Sequence, residues 1–470
     1  MKVELPKGWV WTSLGEVTND PQYGWTTRAS SMGTLHLLRT TDITSGLIDW
    51  SSVPFCEKEP ENVKKYLLED GDIVISRAGS VGYSYLVNSP KRSIFASYLI
   101  RFKPLINRNF LAYFLKSPIY WEAISEKSIG IAMANVNASK LKQIEVPLPP
   151  LAEQQRIVNK IEELFTNLDK GVESLNQAKS KLKIYRQAIL KYAMEGKLTE
   201  KWREENKEKV EPASVLLEKI KKENNIMKSY FNEDFHKSEL PKNWSELRVK
   251  DIGEIVTGTT PSKSINEYYG HDCSFFKPKD LNKGYYVKTS EDGLSFKGME
   301  KARILPIKSI LVTCIGATIG KTGFTRVEGA SNQQINAIIP FENVIPEFIY
   351  FYSISPQFQK NIIVNSSSTT LPILNKSKFE ILKLFIPPLE EQQEIVTRIE
   401  KLFSLADYIE ETANSKLEES KVLRQSILKK AFEGKLVPQD PNDEPAEVLL
   451  EKIKMEKSNK GKTIQEKLVQ

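Results

Sequence analysis

The chain has 470 residues, 40% of them hydrophobic and 27% charged, which describes folded domains, roughly three at about 150 residues each, and excludes a disordered chain. Lys and Arg outnumber Asp and Glu by 67 to 60, a net charge of +7, which admits a nucleic-acid partner without arguing for one. No apolar run reaches the roughly 18 residues a membrane span needs, and MKVELPKGW places an acid and a proline where a secretory leader is apolar, so a cytoplasmic protein is expected.

In chain order, residues 10–105 read as a mixed α and β front. Asp72–Ser76 is a short apolar run leading into Gly79, which predicts a strand and a turn, and Ile94–Phe102 predicts a further strand. Phe110–Leu115, followed by Ser117-Pro118, predicts a short amphipathic helix. Pro149-Pro150 stops that region and a long helix follows. Apolar or small residues fall on a 3-4 alternation at Ile157, Ile161, Leu164, Leu168, Gly171, Leu175, Ala178, Leu182, Tyr185, Ile189 and Tyr192. That is the pattern of a coiled-coil seam over about five heptads. A helix of about 45 residues spans roughly 65 Å at 1.5 Å per residue. Gly196 fits its C-terminal cap. The Lys- and Glu-rich stretch 199–239 predicts a linker with one short helix near Val215–Lys222.

The same elements then return. Strands are predicted at Ile310–Thr313 and Ile335–Ile339, a helix at Phe348–Tyr352 before Ser355-Pro356, a stop at Pro387-Pro388 and a cap at Gly434. PPLAEQQRIVNKIEELF at 149–165 recurs as PPLEEQQEIVTRIEKLF at 387–403 with 12 of 17 positions identical, and YRQAILKYAMEGKL at 185–198 recurs as LRQSILKKAFEGKL at 423–436 with 10 of 14 identical. Both pairs stand 238 residues apart, so the segment between them repeats without a gap, and a period this long marks a duplicated domain rather than a solenoid. EPASVLLEKIKKE at 211–223 returns as EPAEVLLEKIKME at 444–456, and LPKGW at 5–9 as LPKNW at 240–244. Residues 10–105 and 245–343 share only traces. The second long helix keeps Ile395, Ile399, Leu402, Ala406, Ile409, Leu423 and Ile427 on its seam but places Lys416 and Ser420 where apolar residues belong. Its middle is therefore expected to be out of register or exposed. Periodicity alone fits a dimerisation coil and an intramolecular spacer equally. The duplication favours the spacer, because one chain carries both strands. The divisions expected are 1–148, 149–198, 199–238, 239–386, 387–436 and 437–470, the last a tail with a short helix.

Catalytic patterns are missing. Cys56, Cys273 and Cys314 are scattered and odd in number, which fits neither a disulfide framework nor a CxxC metal knuckle and suits a reducing compartment. His271-Asp272-Cys273 is the one dense ligand cluster besides His36 and His236, and three consecutive residues rarely aim at one ion, so no metal is expected. Gly316-Ala-Thr-Ile-Gly320-Lys321-Thr322 imitates a phosphate-binding loop, yet it has three residues between its glycines where that loop has four, and no helix pattern follows. A glycine-dependent turn is the expectation. The equivalent stretch Ser76–Gly82 has no lysine. Acids such as Glu390 and Glu391 open a helix, where they favour the positive end of its dipole.

Two divergent fronts, each followed by PPLxEQQxIVxxIExLF and RQxILKxAxEGKL, closely resemble the specificity subunit of type I restriction–modification enzymes over essentially the whole chain. The resemblance implies an α+β fold: two globular target recognition domains separated by two long helices, the constant parts of the repeat, which form an antiparallel coiled coil with pseudo-two-fold symmetry. It further implies a non-catalytic subunit that reads a bipartite, asymmetric double-stranded DNA site, one half per domain. Its expected partners are two methylation subunits, which modify adenine at N6, and restriction subunits; S-adenosylmethionine, ATP and Mg would reside on those partners, and this chain would hold no cofactor. A partner methylase must flip an adenine out of each half-site at a cost of about a few kcal/mol, and a rigid spacer can serve half-sites about one helical turn, 34–36 Å, apart.

The residues expected at DNA are Arg77 and Ser80 on the first glycine turn, where a guanidinium suits guanine O6 and N7, with Cys314 as the counterpart of Arg77. Lys321 and Thr322 hold the second turn, beside Lys277 and Lys279. Lys91 and Arg92 suit phosphate, and the amides of Asn332 and Gln333 suit adenine. Each also has a structural alternative, as a solvated or buried polar group. Tyr23, Trp25, Tyr268 and Tyr269 fit core caps better than DNA contacts. Two other readings stand beside this one: a free-standing coiled-coil DNA-binding adaptor indifferent to sequence, and an NTPase built on the glycine turn, which the three-residue spacing disfavours.

Overall fold

The computed structural model describes residues 4–128, 135–223, 240–367 and 371–468. The linker segment 224–239, which includes His236, lies outside the described residues. The chain divides into two compact units, Met1–Leu175 with Asn414–Gln470, and Asn176–Ala413. Each unit thus holds the start of one long helix and the end of the other.

In the first unit, Ile73–Ser76 lies inside a four-stranded antiparallel sheet in the order Gln22–Tyr23, Leu99–Phe102, Ile73–Ser76, Ser84–Leu86. A second sheet joins Ala29–Ser30, Phe55–Cys56, His36–Leu38 and Ser93–Phe95, the last two parallel. Val10–Ser13 pairs with Glu145–Leu148. The strand Ile73–Ser76 is apolar on both faces because both are covered: Ile73 and Ile75 pack with Phe102, Phe110 and Phe114, while Val74 packs with Phe95 and Leu99.

The second unit repeats this plan. Gly253–Thr257, Ile335–Pro340, Ile310–Thr313 and Thr322–Phe324 form the matching antiparallel sheet, and Ser245–Arg248 pairs with Lys383–Ile386. Ile310 and Val312 face Phe324 and Phe348, while Leu311 faces Phe276 and Ala337. The second sheet departs from its counterpart, with the order Asp292–Leu294, Tyr269–Phe276, Gly329–Ser331, Ile304–Leu305. Asn107 caps the helix Arg108–Phe114, Asn137 and Asn375 cap Ala138–Lys142 and Lys376–Glu380, and Ser355 caps Pro356–Asn365.

Four expectations need correction. The single strand expected over Ile94–Phe102 is two, Ser93–Phe95 and Leu99–Phe102, in different sheets, with Leu99 N–H donating back to Ala96 O at 2.8 Å. Both pieces are covered on both faces, so no polar alternation or breaker residue marks the turn between them. Among its described residues the linker holds two helices, Glu200–Glu205 and Ala213–Glu223, and the C-terminal helix Ala446–Leu468 runs for 23 residues. The coil seam is buried at some of the expected positions, Leu182 and Ala406 among them, and open at others. Ile157 and Ile161 pack with Ile427, Leu428 and Ala431 in the first unit, and Ile395 and Ile399 with Ile189, Leu190 and Ala193 in the second. Tyr185, Tyr192, Ile409 and Leu423 are exposed. In the first unit Gly171 and Ser420 leave the seam unfilled, and a groove of about 930 Å³ opens there, bordered by Leu168, Val172, Leu175 and Leu423.

The long helices themselves, Leu151–Met194 and Leu389–Phe432, are 44 residues each. Gly196 (φ +70°) and Gly434 (φ +69°) end them in the left-handed conformation, and Lys197 N–H reaches Tyr192 O while Lys435 N–H reaches Lys430 O, the closure that φ > 0 permits. Their first turns are built alike. Gln154 Nε2 donates to Pro149 O and Gln392 Nε2 to Pro387 O, both at 3.0 Å. Gln154 Oε1 accepts from Asn107 N–H and Gln392 Oε1 from Ile345 N–H, both at 3.1 Å. Glu153 and Glu391 are buried, more than the dipole reading of that helix start requires. Glu153 accepts from Trp9 Nε1 at 3.0 Å and from Gln439 Nε2, and burial pushes its carboxyl up. Glu391 accepts from Thr199 Oγ1 at 2.8 Å, from Arg203 and from Asn243 Nδ2. The ion pairs Arg424–Asp169 and Arg186–Asp407 also correspond across the repeat. The short repeats dock reciprocally: Ala446 N–H donates to Gly8 O in one unit and Ala213 N–H to Asn243 O in the other.

Candidate nucleic-acid interface

In the first unit, three loops meet at one end of the antiparallel sheet: the stretch after Tyr23, the turn that follows Ser76, and Ala96–Tyr98. Backbone bonds lock them together. Gly24 N–H donates to Leu99 O (3.1 Å), Trp25 N–H to Phe95 O (2.8 Å), Arg77 N–H to Tyr98 O (2.9 Å) and Val136 N–H to Arg77 O (3.0 Å). The second unit repeats all four: Gly258 to Ile335 O (3.0 Å), Thr259 to Ser331 O (2.9 Å), Cys314 to Gln334 O (2.7 Å) and Leu374 to Cys314 O (2.8 Å). Gly24 and Gly258 are required here, because a Cβ would collide with the carbonyl oxygens of Ala96 and Asn332.

The glycine turns are hairpin turns, as the three-residue spacing implied. Ser76 N–H bonds Tyr83 O and Gly82 N–H bonds Ser76 O. The second turn matches this with Thr313 N–H to Lys321 O and Gly320 N–H to Thr313 O. Gly79, Gly82, Gly316 and Gly320 all have positive φ. One frame therefore carries two sets of side chains: Arg77 against Cys314, Ala96 against Asn332, Ser97 against Gln333, Tyr98 against Gln334, and Tyr83 against Lys321.

Arg77 is half-buried at its root. Its Nε–H donates to Ser97 O at 3.0 Å, and its guanidinium lies over the Tyr23 ring at 5.1 Å and the Tyr98 ring at 6.0 Å. Tyr23 is itself held, its hydroxyl accepting from Ala138 N–H at 3.0 Å. Ser80 sits in the same turn, half-buried. In the second unit Lys321 closes the turn, while Thr322 is buried and donates to Gly320 O at 2.9 Å. Asn332 is buried, with Nδ2 donating to Gln334 Oε1 at 2.9 Å, whereas Gln333 is exposed and accepts from Thr260 Oγ1. Cys314 is buried, and desolvation pushes its thiol up to about 12.

The remaining expected residues lie outside the three loops. Lys91 and Arg92 are exposed in the connection into Ser93–Phe95. Lys277 pairs with Asp292 at 2.7 Å, which holds that carboxyl below the usual range, and Lys279 pairs with Glu291. Trp25 donates from Nε1 to Lys58 O and Tyr269 from its hydroxyl to Pro261 O, the structural role expected of them. Tyr98, Ser97 and Thr260 were not anticipated. The signal for the first two was an exposed aromatic in an otherwise buried apolar run, hidden by reading that run as one strand. Arg101 provides the contrast to Arg77: it is buried and bonded to Asp72, Gln22, Lys65 O and Leu67 O. Burial still leaves the Asp72 carboxyl raised.

Among the described residues no group of three or more His, Cys, Asp or Glu is placed to hold a metal, and no helix is long and apolar enough to cross a membrane.

Comparison with known proteins places this arrangement. The family model for the type I restriction modification DNA specificity domain matches residues 8–183 and 241–419, so both copies of the repeat are matched. The chain is 28% identical to the type I restriction enzyme EcoKI specificity subunit of Escherichia coli K12, covering 97% of each chain, and 29% identical to the EcoBI specificity subunit of Escherichia coli over 76% of this chain and 73% of that one. Among solved structures, the HsdS subunit of Thermoanaerobacter tengcongensis matches 92% of this chain with a TM-score of 0.54 at 18% identity. A chain from a study of type I R-M assembly and conformational transition matches 92% with a TM-score of 0.64 at 19% identity. Those two likenesses bear on the fold, and the family match bears on the role: the chain belongs to the DNA specificity family of type I restriction–modification enzymes, as a specificity subunit.

Proposed function

We propose that each unit reads one half of a split DNA site with its three-loop face, in a complex with two methylation subunits and with restriction subunits. The observation that carries this is the pair of faces: four backbone hydrogen bonds recur between them while the side chains they present differ. A sequence-neutral binder has no use for that difference, since phosphates are the same at every step and call for the same contacts. This favours a sequence reader over a free-standing adaptor. Residues 1–148 and 239–386 are the proposed recognition domains, and the two long helices the spacer.

Within the faces, Arg77 and Ser80 read bases in the first unit, and Lys321 and Gln333 in the second, with Thr322 and the buried Asn332 shaping the loops that carry them. Lys91, Arg92, Lys277 and Lys279 supply positive charge toward phosphates, the last two after releasing Asp292 and Glu291. The chain carries no reaction of its own. Adenine methylation and ATP-driven restriction fall to partner subunits that bring S-adenosylmethionine, ATP and Mg, and the complex works in the cytoplasm.

The test is to co-express the chain with its methylation subunits and map modified bases in the DNA. An asymmetric split motif with N6-methyladenine on both strands is the expected result. Soluble, assembled complex with no motif would contradict the reading and favour the adaptor.

A further inference from the structure

We infer that the first unit reads a guanine, and that Arg77, held between Tyr23 and Tyr98, is the residue that does so. This rests on the reading of the three-loop faces given above. Three observations converge on it. First, the guanidinium is fixed before any ligand arrives: Nε–H is bound to Ser97 O at 3.0 Å and the plane sits against two tyrosine rings at 5.1 and 6.0 Å. The backbone beneath it is tied on both sides, through Tyr98 O and Val136 N–H. Second, no acidic side chain among the described residues pairs with it, unlike Arg101, Arg108, Arg156, Arg186, Arg203 and Arg424. Its two terminal nitrogens are left to donate as a parallel fork, the geometry that matches the O6 and N7 acceptors of guanine in the major groove. Third, the same backbone position in the other unit is Cys314, a small buried side chain. A phosphate contact would be wanted at both half-sites, because it carries no sequence information. A guanidinium present on one face and replaced on a frame held by the same four backbone hydrogen bonds is a base-reading residue.

The flanking tyrosines have a defined part in this. They hold the fork in place and exclude water from one side of it, which lowers the ordering cost of a long side chain when DNA binds. Both are exposed, Tyr23 at 41% and Tyr98 at 58%, so their outer surfaces face solvent alongside the arginine. Lysine at position 77 would keep the charge but lose the fork.

The experiment uses the full chain assembled with its methylation subunits. The wild-type methylation motif is mapped first. Duplexes carrying 7-deazaguanine, which lacks the N7 acceptor, are then placed at each guanine of the motif in turn, and affinity is measured for wild type and for Arg77→Gln and Arg77→Lys. The expected result is one guanine, in one half-site, at which 7-deazaguanine weakens wild-type binding by roughly 5- to 150-fold. Arg77→Gln should weaken the unmodified site by a similar factor and show no further loss on the 7-deaza duplex. Its mapped motif should be relaxed at that base and unchanged in the other half. The inference is overturned if no guanine shows the 7-deaza effect in wild type, which is decided even if the variants fold poorly. It is also overturned if Arg77→Gln weakens binding to all sequences alike with a shallower salt dependence, the signature of a phosphate contact. Absence of any split motif in the wild-type complex would instead defeat the underlying reading of the faces.

Discussion

The starts of the two long helices and the two loop faces are duplicated regions with opposite fates. At the helix starts the side chains themselves recur: Gln154 makes two buried hydrogen bonds that Gln392 makes again, and Glu153 and Glu391 are both buried, each with partners of its own. At the loop faces only the backbone bonds recur, and Arg77 gives way to Cys314, Tyr98 to Gln334. The difference follows from what each set of groups touches. A buried glutamine that satisfies two backbone groups cannot change without leaving them unpaired. A loop locked by its own peptide groups and by a glycine leaves its outward side chains free to match something outside the protein.

That contrast can be broken or sharpened by substitution. The largest effect is expected from Arg101→Ala, which takes away the buried partner of Asp72, leaving it only Lys103 at 3.9 Å and the Glu69 N–H, and strands Gln22 and the carbonyls of Lys65 and Leu67. It should destabilise the first unit by about 3 kcal/mol, seen as a lower denaturant midpoint. Gln154→Leu and Gln392→Leu each strand buried backbone groups, at roughly 2–4 kcal/mol. The two costs should agree to within about 1 kcal/mol if the helix starts are equivalent, and a large inequality would break the comparison. Arg186→Ala and Arg424→Ala remove corresponding partly exposed ion pairs, and each should cost under about 1 kcal/mol and less at high salt. Arg77→Gln should cost about 1 kcal/mol or less, because it gives up the tyrosine contacts and the Nε–H bond to Ser97 O but leaves no buried charge behind.

The position opposite Arg77 has a pH signature. Burial raises the Cys314 thiol to about 12, while in the unfolded chain it ionises near the usual value of about 8.5. The unfolded state therefore loses the proton first, and stability from this site is intact below about pH 8.5 and falls as pH rises toward 12. Cys314 should resist alkylation at pH 8 in the folded protein and react on unfolding, which mass spectrometry of the labelled chain reads directly.

Much of the architecture was legible in the sequence because duplication doubles each weak signal. Ile73–Ser76, Ile310–Thr313, the helices after Pro150 and Pro388, and the glycine caps all stand where their local chemistry placed them. The break at Ala96–Tyr98 was not legible, because a turn flanked by two fully covered strands shows neither alternation nor a breaker. The gap in the coil beside Lys416 and Ser420 was legible, because those residues stand where apolar ones belong, but the exposure of Tyr185 and Tyr192 was not, because the heptad pattern continues through them. At the candidate site the sequence pointed to Arg77 and to the amides of Asn332 and Gln333, yet the equivalence of the loops that carry them emerged only from the register of backbone hydrogen bonds. It also could not show that Lys277 and Lys279 are already paired with acids.

The central claim is that each loop face reads its own half-site independently. The most direct measurement replaces residues 245–343 with the corresponding region of another family member and maps the methylation motif of the assembled complex. The account predicts a new sequence in one half of the site, with the other half and its methylated adenine unchanged. A motif altered in both halves, or in neither, would contradict it.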